Sequence, residues 1–493
     1  MGDPGREPGP GYKWAVLGIA MSGVLMVGID TTIVVLALPT ILVELHSNLV
    51  TIIWVLMAYI FVSTVFLLAL GRVADIYGRV RLYNAGFAVF TVGSALCGAA
   101  QADWQLIGAR LIQGVGGALL LVNAFALITE AFPANERGGA LGILSATFGS
   151  GGIVGPVLGG LILAVTSWRW IFFINVPIGI VATVVGYRRL VELSKPRRGE
   201  RLDWLGTVAF SASLLALLFG ILLIVNVGIR SPVIWALLAL FVAGIVFFLF
   251  WETRAPYPAL DPVLFRSRVF DFSVLAASLQ SLAIFSLQFL VIFYLQGVRG
   301  YTPLMAALLL LPYPIGLVLL GPFSGRLSDR IGARVPATAG LLIQVAGLEW
   351  LATIGLTATY LQIAVGLAIA GIGAGLFFSP NTSAAMTASP RDKLGVASAT
   401  LTTLRNAGMV TSFALSLAVA AAAIPPKLVL ALFVGTSGAL ALPLKEAFVA
   451  GMHAALHVNS VICVVAALMS LVRGREVRSA TPAAPGGVGV SPG

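Results

Sequence analysis

Asp30 lies inside an apolar run, residues 14–38, that is long enough to cross a membrane as a helix. A carboxylate at such a depth costs several kcal/mol unless it is paired, protonated or facing water, and such groups commonly mark ion or proton pathways. Arg110 occupies a second run, 105–130. At about 1.5 Å of rise per residue, Asp30 is roughly 14 Å and Arg110 roughly 10 Å from the ends of their runs on one face. Side by side they would form a carboxylate whose protonation follows conformation; the other reading of Asp30 is a structural hydrogen bond within the bundle. Glu349 is another acid well within a run, either a second protonatable site, a cation-attracting carboxylate or an interhelical partner. Arg405, with Asn406 beside it, reaches mid-depth and requires an acidic or carbonyl partner.

Around these charges stand amides and aromatics. Gln113, Asn123, Gln280 and Gln288, with Trp54, Tyr59 and Phe285, are candidates for a mixed polar and aromatic cavity. Such a lining holds bulky amphipathic ligands by apolar contact, stacking and cation–π attraction. Taken singly, each is equally a packing residue. His453 and His457, one turn apart, lack a third ligand and make a poor metal site; a water-facing pair that modulates a pH response suits them better. Cys97 and Cys463 both fall in apolar runs, so neither a disulfide framework nor a metal cluster is expected. No lysine is followed by Ser or Thr, which excludes the nucleotide loop ending in Gly-Lys-Ser/Thr. HExxH and GxSxG are absent too. The expectation is no enzyme, no cofactor, and energy drawn from an ion gradient.

The elements that position these residues are membrane helices. Only 10% of the residues are charged and 59% are hydrophobic, with a mean hydropathy of +1.01, whereas a soluble domain carries roughly 25% charged residues. The net charge of +11 is not a nucleic-acid footprint, because most of the 30 lysines and arginines fall in the termini and in the loops of one face. That asymmetry reports orientation, with both termini cytoplasmic. Arginine outnumbers lysine 25 to 5, which hints at a GC-rich bacterial genome and hence the inner (plasma) membrane.

A span of about 20 apolar residues recurs fourteen times. Six spans fill 14–187 after a cytoplasmic tail at 1–13; a basic loop, two further spans and a connector fill 188–270; six more fill 271–472; and 473–493 is a Gly/Pro/Ala-rich tail expected to be disordered. The stretch 424–446, with three prolines, is expected to lie in the outer interface. Two short hydrophilic islands support a duplication. GRVADIYGRVR at 71–81 and GRLSDRIGAR at 325–334 repeat Gly71, Arg72, Asp75 and Gly78 as Gly325, Arg326, Asp329 and Gly332. Their glycines suit tight reversals between spans, and their arginines, Arg79 included, suit carboxylates or lipid phosphates. Two such halves would meet around a cavity near the bilayer midplane. In the fifth span Gly151, Gly155 and Gly159 recur every four residues beside Gly152, Pro156 and Gly160, so a facing backbone can approach closely and the helix can bend.

The islands resemble the loop motif of the major facilitator superfamily. Four further stretches resemble motifs of its fourteen-helix drug:proton antiporter branch: GIDTTIVVLALP at 28–39, RLIQGVGGA at 110–118, GGIVGPVLGG at 151–160 and WRWIFFINVPIG at 168–179. LQGVRGYTPLMAALLLLP at 295–312 and LRNAG at 404–408 extend the likeness to nearly the whole chain. The resemblance implies an all-α fold of two six-helix bundles plus two inserted helices. It also implies gating by the islands, proton coupling at Asp30 and Arg110, and an antiporter motif in the fifth span associated with export. The function expected is exchange of lipophilic or cationic drugs for protons by a monomer in the lipid bilayer. A dedicated exporter of one metabolite, antibiotic or lipid is the alternative, and a non-transporting receptor or scaffold a remote one.

Overall fold

The computed structural model of the chain describes residues 11–133, 136–193, 203–227, 230–256, 258, 260, 262–390, 394–422 and 442–474. Every regular element among the described residues is a helix. They run α1 (Tyr12–Glu44), α2 (Leu49–Tyr77), α3 (Arg79–Ala99), α4 (Asp103–Ala131), α5 (Arg137–Val165), α6 (Trp170–Phe173), α7 (Asn175–Arg189), α8 (Trp204–Val227) and α9 (Pro232–Glu252). After a single 3₁₀ turn come α10 (Arg268–Phe293), α11 (Pro303–Leu310), α12 (Pro312–Ile331), α13 (Arg334–Leu351), α14 (Tyr360–Thr387), α15 (Leu394–Ala422) and α16 (Leu442–Val472). Side-chain caps start several of them. Asn48 accepts the Thr51 N–H, Ser267 that of Phe270 and Thr302 that of Met305, while Thr359 and Gln362 form a reciprocal capping box.

Eleven of the described helices are long and apolar enough to cross a membrane, and a shorter apolar stretch lies at 51–67 in α2. This is a multi-span helical membrane protein. Several expected boundaries shift. The sixth span is split into α6 and α7 at Ile174, close to Pro177, which has no N–H to donate to the preceding turn. The tenth divides into α11 and α12 at Leu311, where Pro312 and Pro314 follow. The ninth ends in a π-helical turn at Tyr294–Val298. The stretch 424–446 lies outside the described residues up to 441, and α16 begins at Leu442. The expected tails at 1–10 and 475–493 also lie outside them. The first island is not wholly a loop: α2 continues through residues 71–77, and the chain reverses at Gly78 alone, where φ is +102°. Gly332 does the same after α12, with φ +86°.

In the first half, α1 packs on α5, α2 on α4, and α3 on α4 and α7; in the second, α10 packs on α15 and α16, α12 on α14, and α13 on α14 and α16. Small residues permit the closest of these approaches. A Cβ on Gly93 would stand 2.7 Å from the backbone of Gln113, and one on Gly116 would meet the backbone of Phe90, so α3 and α4 touch main chain to main chain. Helices α8 and α9, expected to be an inserted pair, pack on each other, and α8 bridges α2 and α15. Contacts at one end tie the first half to itself, and contacts at the other end join the two halves. Tyr12 at the start of α1 donates to the Val191 carbonyl (2.9 Å), and Lys13 pairs with Glu136 just before α5. At the end far from the termini, Gln296 of the π-turn donates to the Leu36 carbonyl of α1 (3.3 Å), and Gly160 of α5 packs against Leu304 of α11.

Candidate functional site

Asp30 and Arg110 meet. Both are fully buried, and Arg110 Nη1 donates to Asp30 Oδ2 at 2.6 Å. The pairing follows from α1 packing on α4 with both residues on the inward stripes. Arg110 Nε donates to the Val55 carbonyl of α2 (3.0 Å), and its guanidinium lies over the Tyr59 ring, 4.2 Å from the centroid. Gln113, one turn along α4, bridges the pair. Its Nε2 donates to Asp30 Oδ1 (2.8 Å) and to Ser94 Oγ (2.7 Å), while its Oε1 accepts from Arg110 Nη1 (2.6 Å) and, weakly, from the Cys97 thiol (3.6 Å). Asn175 at the start of α7 adds a long contact to Asp30 Oδ1 (3.4 Å). Five helices, α1, α2, α3, α4 and α7, thus meet in the cluster around Asp30. Each oxygen of Asp30 has a donor, so protonating it would displace a hydrogen bond to Arg110 or Gln113 and loosen α1 from α4.

The glycines of α5 form two stripes with different partners. Gly151, Gly155 and Gly159 face α1: a Cβ on Gly151 would fall 2.5–2.8 Å from the backbone of Gly28 and Ile29, and one on Gly155 would strike Thr32. Thr32 Oγ1 donates to the Gly151 carbonyl (3.0 Å). The second stripe faces the other half of the molecule. Gly160 abuts Leu304, while Gly152 and Pro156 join Thr32, Gln288, Ile292, Leu310, Leu311 and Pro314 around a narrow cleft of about 10 Å³. That is room for about one water molecule, far short of a ligand pocket of roughly 300–1,000 Å³, so a drug-sized molecule requires the halves to separate. Pro156, inside α5, marks where that helix can bend, and Pro314 lies in the first turn of α12, just after the break from α11.

The chain is similar to known proteins. The family model described as Major Facilitator Superfamily matches residues 20–201 and 185–413. The chain belongs to that superfamily. It is similar to the riboflavin transporter RibZ of Clostridioides difficile, 34% identical over 82% of this chain and 87% of that one. It is equally similar to the multidrug resistance protein Stp of Mycobacterium tuberculosis, 34% identical over 80% of this chain and 73% of the relative. In fold it matches a bacterial homologue of the human lysosomal transporter Spinster, with TM-score 0.67 and 18% identity over 95% of this chain and 98% of that one. A superfamily of transporters, not of enzymes, is therefore the setting in which the remaining expected residues are placed.

Of the residues expected to line a cavity, Gln288 borders the cleft between the halves. Others have different partners. Gln113 and Tyr59 belong to the Asp30 cluster. Trp54 packs on Phe219 of α8, with ring centroids 4.9 Å apart, and so faces the inserted pair. Asn123 is fully buried and donates to the Leu119 carbonyl one turn back (2.7 Å). Gln280 donates to Gln344 Oε1 (3.4 Å) inside the second half. Phe285 is half-buried and packs on the apolar core. Arg405 and Asn406 are half-buried on α15; Arg405 donates to Thr382 Oγ1 (3.3 Å) and lies over the Phe378 ring at 4.2 Å.

Glu349 stands two residues from the end of α13, not deep within it, and is 45% exposed. Its Oε2 is 3.0 Å from His457 Nδ1 on α16, and His453 Nε2 lies 2.8 Å from the Ile354 carbonyl. Neither histidine approaches Asp30. The side chains of Arg72, Asp75 and Asp329, and the surroundings of Gly71, lie outside the described residues. Gly325 has Ser379 beside it, and Arg326 is exposed. At the first turn the described contacts are definite. Arg79 Nη1 pairs with Glu130 Oε1 at the end of α4 (2.6 Å), and Glu192 accepts the backbone N–H groups of Arg79 (2.9 Å) and Val80 (3.1 Å) at the start of α3. Glu130 and Glu192 were not visible as functional residues in the sequence. The signal for them was an acid at a span end and another just past a span, on the face where the island lies. Burial raises the Glu192 carboxyl above its ordinary range, and the N–H groups of Arg79, Val80 and Arg81 partly oppose that rise.

Proposed function

We propose that this protein is a fourteen-span secondary exporter of lipophilic compounds, hydrophobic or charged, driven by proton exchange through alternating access. The observation that carries the reading is the fully buried Asp30–Arg110 pair bridged by Gln113. A proton arriving at Asp30 removes the charge that holds Arg110, and α1, which bears Asp30, also packs through Gly28 and Ile29 on α5. The other stripe of α5 lines the cleft toward the second half. Proton occupancy and the fit between the halves are thereby linked mechanically, as rocking transport demands. The multidrug relative supports a broad substrate range. The placement of the basic residues supports cytoplasmic termini, and the excess of arginine over lysine, 25 to 5, supports a bacterial inner membrane.

The test is proton movement in everted membrane vesicles with an imposed pH gradient, comparing the parent with Asp30→Asn at equal amounts of monodisperse protein. The parent is expected to dissipate the gradient when a transported dye is added, and Asp30→Asn to lose that response. Asp30→Asn exporting as well as the parent, still in dependence on the gradient, would sink the assignment. A second reading is a dedicated exporter of one compound, which the riboflavin transporter relative favours. A panel of unrelated dyes and drugs separates the two, because a dedicated exporter acts on few of them.

A further inference from the structure

Resting on the exporter reading, we propose that Arg405 is the docking point for an acidic group of the transported compound, so that lipophilic organic anions, carboxylates or phenolates, are preferred over cations. The case begins with charge balance. Asp30 is the described acid lying far from any helix end, and Arg110 and Gln113 occupy both its oxygens. Every other described carboxylate stands near a helix end or in a loop. The middle of the helical bundle thus offers a cation no free acid among the described residues, whereas it does offer a cation of its own.

Arg405 lies eleven residues into α15, about 16 Å along its axis. No described carboxylate pairs with it. A guanidinium carries five N–H donors, and the one described hydrogen bond goes to Thr382 Oγ1 (3.3 Å). The remaining donors are not sealed in protein: unlike Nη2 of Arg110, no nitrogen of Arg405 is both buried and unpartnered. They open onto accessible space beside Phe378, whose ring lies under the guanidinium at 4.2 Å and fixes its plane. A charged side chain at this depth faces a bundle interior or a water-filled cavity, not lipid. Phe378 is itself 36% exposed, giving an apolar surface next to the charge. A planar fork of donors against an aromatic face suits a carboxylate or phenolate on a flat ring, with the fork binding the oxygen and Phe378 the ring.

The experiment uses two xanthene dyes of opposite charge, fluorescein and rhodamine 123, on the full-length protein. Binding is read by fluorescence anisotropy on purified parent, Arg405→Lys and Arg405→Gln, and transport by dye uptake into everted vesicles carrying a pH gradient. The parent is expected to bind and move fluorescein better than rhodamine 123. Arg405→Gln is expected to lose fluorescein affinity by about tenfold to a hundredfold, the strength of one charge-assisted contact, with rhodamine 123 unchanged or improved. Arg405→Lys, which keeps the charge but loses the planar fork stacked on Phe378, is expected to bind fluorescein with an affinity between those of the parent and Arg405→Gln. Equal losses for both dyes in Arg405→Gln would show a packing role and overturn the proposal, as would a parent that prefers rhodamine 123. Arg405-dependent fluorescein binding without uptake of either dye would uphold the site and refute the exporter reading instead.

Discussion

Replacing Gly151 with alanine places one methyl group where the structure has no room for it. The new Cβ would lie 2.5 Å from the Gly28 carbonyl carbon, 2.7 Å from Gly28 Cα and 2.8 Å from Ile29 N. Carbon atoms rest at about 3.5–4.0 Å, and backbone cannot swing aside as a side chain can, so α1 and α5 must part by about 1 Å. Overpacking of this kind costs about 1–3 kcal/mol, set against at most about 1 kcal/mol gained from the helix preference of Ala over Gly. The displaced helix carries Asp30 two residues beyond Gly28. A 1 Å shift would stretch the contacts of Asp30 with Arg110 (2.6 Å) and Gln113 (2.8 Å) to the limit of hydrogen bonding. Gly152→Ala is the in-register control, since its Cβ would meet only Pro314 Cβ at 3.8 Å, an ordinary contact. Melting temperature in detergent, read by size exclusion after heating, and proton-linked dye efflux in vesicles are the assays. Gly151→Ala is expected to melt lower and pump more slowly, Gly152→Ala to melt at or slightly above the parent. If Gly151→Ala matches the parent in both assays, or the two variants behave alike, the account of the α1–α5 contact is wrong.

The two turn glycines should differ although their motifs repeat. Gly78→Ala incurs both a positive φ and a collision with Glu192 Oε2 at 2.6 Å, whereas Gly332→Ala incurs the positive φ alone, with nothing within 4 Å; heat stability is expected to fall further for Gly78→Ala. Glu192 predicts a pH effect. Its folded carboxyl titrates above the unfolded one, so the native state holds more protons between the two values, and its contribution to stability falls as pH rises through that window. Stability measured from the ordinary carboxylate range upward should decline less steeply in Glu192→Gln than in the parent, and equal slopes would refute the burial argument.

The charges that carry the proposed coupling were legible because each stands alone in an apolar run. Asp30 and Arg110 are types that the interior of a membrane helix admits only for a reason, and their depths could be compared by counting residues. An amide or an aromatic gives no such warning, since its presence in a span does not say which neighbour it faces. Gln113 was expected in the cavity, yet it sits three residues after Arg110 on the same face of α4, a spacing that would have paired it with the ion pair. Trp54 could not have been placed from its own surroundings in the chain, because its partner Phe219 belongs to the inserted helix α8. Glu192 was hidden for a different reason: it touches the first island from more than a hundred residues away.

Helix α5 explains why small residues and a buried charge occur together in this chain. On one face its glycines admit the backbone of α1 so closely that neither helix can slide without disturbing the other. On the adjacent face Gly152, Pro156 and Gly160 meet the broken helix formed by α11 and α12. A larger residue on the first stripe would cushion α1 from any displacement of α5; one at Gly160, where a Cβ would stand 2.8 Å from Leu304 Cα, would hold the two halves apart. With both stripes small, a shift of the second half by an ångström or so is passed to α1 nearly undiminished. At Asp30 that distance is enough to convert a hydrogen bond into a gap. Under the proposed coupling the same geometry works in reverse: a proton that weakens the Asp30–Arg110 contact frees α1 from α4, and α1 carries α5 with it and alters the fit between the halves.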